Sequence, residues 1–420
     1  MEKLIVHGGT NLKGRVTISG SKNSSLPILA ATLLTKELCT IRRVPDLSDT
    51  NYMTLILAEL GAEVERASGV VMVEAKKIKS TAPYELVRKM RASICVLGPL
   101  TGRLKKASVS LPGGCVIGDR PVDLHLKGLE GLGAEITVDG GDIVVNAKKG
   151  LRGREINLLG KHGSTVLGTD NVMMAATLAK GITIIEGAAA EPEVEDLANF
   201  LIAMGAKIEG AGTHRIVIEG VKELHGAEHT VIPDRIEAGT FLCAGAMMSK
   251  GLSLDRVVPG HMKAVLQTLE RCGFPLEITK DSITIKPNRE AKGFDLTTQC
   301  YPGFPTDMQA QFCALACAID DTSSITETIF PQRFMHVAEM KRMGANIQLQ
   351  GATARIRGGG KMKGAPVMAS DLRASAALVL AAIKASGRTD ILRLYHIDRG
   401  YEHLDDKLVA LGAHLERVKE

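Results

Sequence analysis

Read as a pattern of apolar and polar positions, the chain repeats itself six times. A helical run ends at a glycine and gives way to an alternating strand in ELGAEVE, GLGAEIT, AMGAKIE, RCGFPLE, RMGANIQ and ALGAHLE. The glycines are Gly61, Gly133, Gly205, Gly273, Gly344 and Gly412, separated by 72, 72, 68, 71 and 68 residues. Each reads as the left-handed residue that closes a helix, and the first five are followed by a hairpin pattern, as in AEVERASGVVMVEA and AKIEGAGTHRIVIEG.

A second signature lies inside the repeats. KNSSLPILAATLL, TDNVMMAATLAKG, DRIEAGTFLCAGAMMSKG, TDMQAQFCALACAI and SDLRASAALVLAAI are helical runs that are apolar nearly all round, which places them in a core where Ala and Gly allow close packing. EVEDLANFLIAMG and HMKAVLQTLERCG are amphipathic instead and belong on the outside. The last repeat stops at HLERVKE with one hairpin strand, while MEKLIVHG at the start is a strand without a hairpin. Pairing the two predicts an α/β protein of two domains with three repeats each: residues 1–21 with 232–420, and residues 22–231. The chain then crosses between domains near Gly20 and near Val231, and two crossing strands suit a hinge and a closable cleft.

Length agrees with two domains, since 420 residues exceed one ordinary core. Apolar content of 45% and charged content of 24% are those of a globular chain. The formal charge of +5 is spread along the length with no basic run, which disfavours nucleic acid and fits small anionic substrates. MEKLIVHGGT lacks the apolar core of a signal peptide, and the longest apolar runs, such as SAALVLAAI, are too short to span a membrane; a cytoplasmic protein is expected. The eight cysteines form no CxxC pair, and no HExxH, EF-hand, Walker A, GxSxG or strand-borne GxGxxG pattern occurs, so neither a metal nor a cofactor is expected.

Candidate chemistry is concentrated in a few places. LPGGCVIGDRP (111–121) sets Cys115 behind two glycines and ahead of Arg120, which suits an accessible thiol, although a β-turn with a small buried cysteine has the same pattern. Lys22 and Asn23 precede a helical run whose Pro27 suits a first turn; the lysine either adds its charge to a helix N-terminus that binds an anion or is a solvated lysine beside an Asn cap. Asp170, Asp234, Asp307 and Asp371 each stand at the start of a buried helical run, where capping is the default role. Asp307 and Asp371 have Arg333, Arg373 and Arg399 at nearby element ends, and converging guanidinium groups would bind a small dianion. Gly358 to Gly360 read as a hairpin turn, and His125 as a surface or hydrogen-bonding residue of a helix.

SKN (21–23), MRAS (90–93), LPGGCVIGDRPVDLHL (111–126), FPTDMQAQF (304–312), ITETIFPQRFMH (325–336), DLRASAALVLA (371–381) and YHIDRGYEHLDDKL (395–408) together resemble the enolpyruvyl transferases, in the branch that uses UDP-N-acetylglucosamine. The resemblance runs the length of the chain. It implies a two-domain inside-out α/β barrel built from six βαβαββ repeats, and transfer of the enolpyruvyl group of phosphoenolpyruvate to the sugar 3′-hydroxyl with loss of phosphate, in peptidoglycan synthesis. Cys115 would protonate the methylene carbon and can form an adduct with phosphoenolpyruvate, and Asp307 would take the hydroxyl proton. Lys22, Arg120 and Arg399 would hold phosphoenolpyruvate, while Asn23 and Arg91 would place the sugar nucleotide. Arg120, Pro121, Val122, Asp123, Leu124 and Ile329 would line the uridine side, Arg333 would contact substrate, and Asp371 and Arg373 would position it.

Protonating the enol carbon builds positive charge, so a neutral thiol must face that carbon while fixed cations hold the anionic groups. Arg120 favours thiolate, so substrate phosphate charge would be needed to keep Cys115 protonated. Lys161 to Thr169 depart from the family's SVGAT-like element, and no contact is carried over to them. Two other readings share parts of the pattern. One is a 5-enolpyruvylshikimate-3-phosphate synthase-like transferase, whose pattern lacks the LPGGC loop; the other is a noncatalytic UDP-sugar-binding paralogue, against which intact Cys115, Asp307 and Arg399 argue.

Overall fold

The computed structural model describes residues 2–111 and 122–419. The chain forms two compact units, one from residues up to 19 together with 233 onward, the other from residues 20–111 and 122–232. Each of the six repeat glycines has a positive φ, between 91° and 103°, as a helix-ending residue requires.

Among the described residues the strands make five sheets of four and one of three. All follow one scheme: a parallel edge pair, then two antiparallel pairs ending in a hairpin. In one sheet of the first unit, Asp295–Thr297 runs parallel to Thr322–Thr326, which is antiparallel to Thr353–Arg357, itself hairpinned with Asn346–Gln350. In the three-stranded sheet, Lys106–Ser110 with Asp142–Asn146 and Glu135–Asp139, a single parallel bridge from Thr81 to Ser108 stands in for the edge strand. The hairpin left unfinished by the last repeat is completed as its pattern predicts: Glu2–His7 pairs antiparallel with His414–Lys419, in register from Glu2 with Lys419 to His7 with His414.

Among the described residues, the two crossings between units exchange equivalent strands. Leu12–Thr17 comes just before helix Lys22–Ala31, yet it pairs with Ser249–Asp255 of the first unit. Glu228–Thr230 comes just before helix Arg235–Met248, yet it pairs with Cys39–Arg42 of the second. A buried carboxylate fixes the chain in each unit at this point. Glu237 accepts from Ser19 N at 2.9 Å and from Lys407 Nζ at 2.5 Å. Asp196 accepts from Ile232 N at 3.2 Å and from the Ser24 hydroxyl, with His229 Nε2 2.8 Å away.

Three small-residue helices fill each core: Lys22–Ala31, Leu97–Leu104 and Val166–Ala176 in one unit, Arg235–Met248, Gln309–Ala318 and Leu372–Lys384 in the other. The pattern of apolar residues missed Leu97–Leu104, because Gly98, Pro99 and Gly102 read as breakers. They are there for close packing: a Cβ on Gly98 would stand 2.4 Å from the Asn171 carbonyl, and Gly98 N bonds Asn171 Oδ1 at 2.6 Å. The same Asn171 amide reaches His125 Nδ1 at 2.9 Å, so His125 is a buried hydrogen-bonding residue. The glycines at 358–360 do not turn a hairpin. That turn is at Gly351, and Gly358 follows the second strand, where a Cβ would meet the Ile319 carbonyl at 1.9 Å.

Candidate active site

The residues singled out in the second unit begin with helix Lys22–Ala31. Its cap is Ser21, whose Oγ accepts from Ser24 N at 3.3 Å, so neither Asn23 nor Pro27 plays the part expected of it; Pro27 lies inside the helix. Lys22 is not a solvated lysine. It is 8% exposed, and its Nζ is 2.8 Å from Asp49 Oδ2, itself buried in the first turn of helix Ser48–Glu59. A cation in the first turn of a helix is poorly placed, and Asp49 supplies the compensating charge. Pro27 has no N–H, which takes the Asn23 carbonyl out of the helical ladder beside it. Arg91 opens a 3-10 turn, Arg91–Val96, and is half-buried. Val122 precedes helix Asp123–Gly131, with Asp123 exposed and Leu124 half-buried. Cys115, Arg120 and Pro121 lie outside the described residues.

The divergent segment 161–169 is a tight turn with Gly160 and Gly163 bridged, followed by Thr165 as the cap of Val166–Ala176. Thr165 displaces Asp170 from the capping role expected of it. Asp170 is buried within the helix, and burial, then Glu191 and Glu193, push its carboxyl well above the usual range.

In the first unit two of the three arginines singled out, Arg333 and Arg373, meet at Asp307. Asp307 does not cap a helix either; it sits in the 3-10 turn Thr306–Met308. Its Oδ1 accepts from Arg333 Nη1 at 2.8 Å, and its Oδ2 from Arg373 Nη2 at 3.1 Å and Nε at 3.3 Å. Arg373 is 1% exposed and lies over the Tyr401 ring, 5.3 Å from its centre. Burial works against its charge, but Asp307, then Tyr401 and Asp234, hold its proton affinity above the ordinary value. Asp371 does cap, as Asp234 does: its Oδ1 accepts from Arg373 N at 2.9 Å and Ala374 N at 3.1 Å, fixing the start of Leu372–Lys384. Asp371 and Arg399 both act on half-buried His396, in opposite senses; burial and then Arg399 lower its proton affinity.

Glu327 carries no signal in the sequence beyond lying at a strand end, yet it organises this region. Its Oε1 accepts from Thr298 Oγ1 at 2.7 Å, Ile329 N at 2.9 Å and Phe330 N at 3.0 Å. Its Oε2 accepts from Thr306 Oγ1 at 2.8 Å. One buried carboxylate therefore sets both the turn that bears Ile329 and the turn that bears Asp307.

His336, 1% exposed on helix Met335–Arg342, is a second group the sequence did not disclose. Burial lowers it from 6.5 to about 4, with Asp371 opposing and Arg333 assisting. Below pH 6.5 the unfolded chain takes the proton first, so the stability tied to this neutral ring is whole above pH 6.5 and is lost as pH falls towards 4. His336→Gln is expected to retain about 2 kcal/mol more of its neutral-pH stability at pH 5 than the parent does. Urea unfolding at pH 7 and pH 5 measures this, and parallel losses in the two proteins would rule the assignment out.

A half-buried carboxylate held at both oxygens by two guanidinium groups is an arrangement in which a proton can be taken at a fixed point. The family model of EPSP synthase (3-phosphoshikimate 1-carboxyvinyltransferase) matches residues 6–408. The UDP-N-acetylglucosamine 1-carboxyvinyltransferase of Akkermansia muciniphila is 59% identical over 422 residues, covering 100% of this chain and 99% of the relative. That of Methylacidiphilum infernorum is 60% identical over 418 residues, with the same coverage of 100% and 99%. Among solved structures, the enolpyruvyl transferase NikO from Streptomyces tendae superposes with a TM-score of 0.90 at 25% identity, covering 100% of this chain and 99% of that one. An EPSP synthase from Acinetobacter baumannii shares the fold, with a TM-score of 0.76 at 18% identity and 100% of both chains covered. With its sixfold βαβαββ architecture, its arginine-clamped Asp307 and these full-length matches, the chain belongs to the enolpyruvyl transferases, in the family of the UDP-N-acetylglucosamine 1-carboxyvinyltransferases.

Proposed function

We propose that the protein transfers the enolpyruvyl group of phosphoenolpyruvate to the 3′-hydroxyl of UDP-N-acetylglucosamine and releases phosphate, the first committed step of peptidoglycan synthesis. It acts in the cytoplasm on these two small molecules, using neither metal nor cofactor and no nucleic acid. The observation that carries this reading is identity of 59% and 60% along the whole chain to enzymes of that name, against 18% to an EPSP synthase of the same fold.

The residues have separate tasks. Lys22, Arg120 and Arg399 hold the phosphate and carboxylate of phosphoenolpyruvate. Asn23 and Arg91 place the sugar nucleotide, Arg333 contacts substrate, and residues 120–124 with Ile329 border the uridine. The Cys115 S–H proton goes to the methylene carbon, leaving positive charge at C2. The sugar oxygen bonds to C2 as its proton passes to Asp307. A methyl proton then returns to the Cys115 thiolate, its C–H pair forms the new double bond, and phosphate leaves with the electron pair of the C2–O bond, giving the enol ether and inorganic phosphate.

Asp307 suits its part because its side chain remains 26% exposed while Arg333 and Arg373 fix both oxygens. It need act only as the C–O bond forms, when the hydroxyl becomes acidic. The helix capped by Asp371 delivers Arg373, so both act by positioning.

The test is phosphate release from phosphoenolpyruvate with each acceptor in turn. Release is expected with UDP-N-acetylglucosamine and not with shikimate 3-phosphate. Release that required shikimate 3-phosphate would overturn the acceptor, and tight UDP-sugar binding without release would overturn the catalytic role.

A further inference from the structure

Arg399 sits in a loop, residues 393–403, that the backbone holds at some cost. Arg393 and His403 at its two ends are left-handed, with φ of 60° and 48°, a conformation that non-glycine residues adopt at a penalty. Something must therefore hold the loop. On its inner side Leu394, Ile397 and Tyr401 are at most 3% exposed, as is Leu404 just beyond it. The Tyr401 hydroxyl is fixed by Thr240 Oγ1 at 3.0 Å and Gln311 Nε2 at 3.1 Å.

On its outer side stands Arg417, from strand His414–Lys419. Its Nη2 and Nη1 grip the two oxygens of Asp398, at 2.8 and 3.0 Å, in a fork-to-fork pair. Its Nε bonds Asp405 Oδ2 at 2.9 Å, and Nη1 also reaches Glu2 Oε2 at 3.2 Å. Three carboxylates thus fix one guanidinium whose own strand is zipped against Glu2–His7. Asp398 immediately precedes Arg399, and Tyr401 follows it by two residues, so the loop is pinned on both sides of the arginine.

We infer that Arg417 is a positioning residue for phosphoenolpyruvate: acting through Asp398, it pre-orders the loop that presents Arg399. This rests on the assignment of Arg399 to phosphoenolpyruvate made above. Without the fork, substrate must order residues 398–400 as it binds, and the lost order weakens capture of the ligand Arg399 holds while sparing the other one.

The experiment compares five single variants and one double variant in steady-state kinetics. Arg417→Gln and Asp398→Asn are each expected to raise KM for phosphoenolpyruvate by about 5- to 20-fold, with KM for UDP-N-acetylglucosamine within about twofold of the parent. Arg417→Lys should not restore it, since an ammonium cannot make the fork. Asp405→Asn removes the charge of a neighbouring partner of the same guanidinium without releasing Asp398, and should leave both KM values within about twofold. The double variant Arg417→Gln with Asp398→Asn should be no worse than either single one.

A phosphoenolpyruvate KM unchanged in Arg417→Gln, or equally raised in Asp405→Asn, overturns the inference, the second by showing a general loosening of the surface. Arg399→Gln separates the two levels. If it raises KM for phosphoenolpyruvate while Arg417→Gln does not, the clamp fails and the site assignment stands. If Arg399→Gln itself leaves that KM unchanged, the assignment beneath the clamp falls.

Discussion

Asp307→Asn is expected to lower kcat for enolpyruvyl transfer by about 10²- to 10⁴-fold, the range associated with losing a positioned proton acceptor. The substitution keeps the size and shape of the side chain. An amide turned to keep an oxygen on Arg333, now 2.8 Å from Oδ1, presents its NH₂ to the Arg373 donors on Oδ2. The mismatch costs stability, by about 1 to 3 kcal/mol on the usual scale for an unsatisfied buried group, so the fold should survive. In the proposed reaction, adduct formation between phosphoenolpyruvate and Cys115 does not require the sugar hydroxyl to be deprotonated. Intact mass should therefore still show the adduct while phosphate release with both substrates is nearly abolished. A loss of kcat under tenfold would mean that Asp307 is not the acceptor.

The parts of the fold that could be read from the sequence are those set by short-range rules. A helix-ending glycine and an alternating hairpin can each be recognised within a dozen residues, and their sixfold recurrence supplied the architecture, including the closure of Glu2–His7 onto His414–Lys419. Local rules failed where a residue answers to a distant partner. Asp170 and Asp307 look like caps in sequence, but Thr165 caps the first helix, and Asp307 faces arginines 26 and 66 residues away. Lys22 reads equally as an anion ligand or a solvated lysine until the packing of the next helix brings Asp49 to it. Gly98 looks like a breaker until Asn171 fills the space against it. Glu327, His336 and Arg417 had no local mark at all, because a buried polar group is defined by what surrounds it. The sequence marked Arg373 as a neighbour of Asp371, while the structure supplied the reason it is there: its contact with Asp307.

That reason predicts the largest stability effect. Arg373→Met should destabilise the protein by about 3 kcal/mol, the lower end of what removing one partner of a buried ion pair costs, because Asp307 keeps Arg333 and some exposure to solvent. Methionine fills much of the volume over the Tyr401 ring, so the loss is electrostatic more than it is a cavity. Denaturant midpoints at an unchanged m-value measure it. Arg373→Lys should recover only part of the loss, since one ammonium cannot reproduce both the Nε and Nη2 bonds to Asp307. The sharper comparison is the double variant. If the cost of Arg373→Met arises from leaving Asp307 charged with one guanidinium fewer, then combining it with Asp307→Asn should cost less than the sum of the two single changes, by 1 kcal/mol or more on the scale of coupled neighbours. Strict additivity would instead mean that Arg373 stabilises the core through Tyr401 and the helix it begins, and that its contact with Asp307 contributes little to folding.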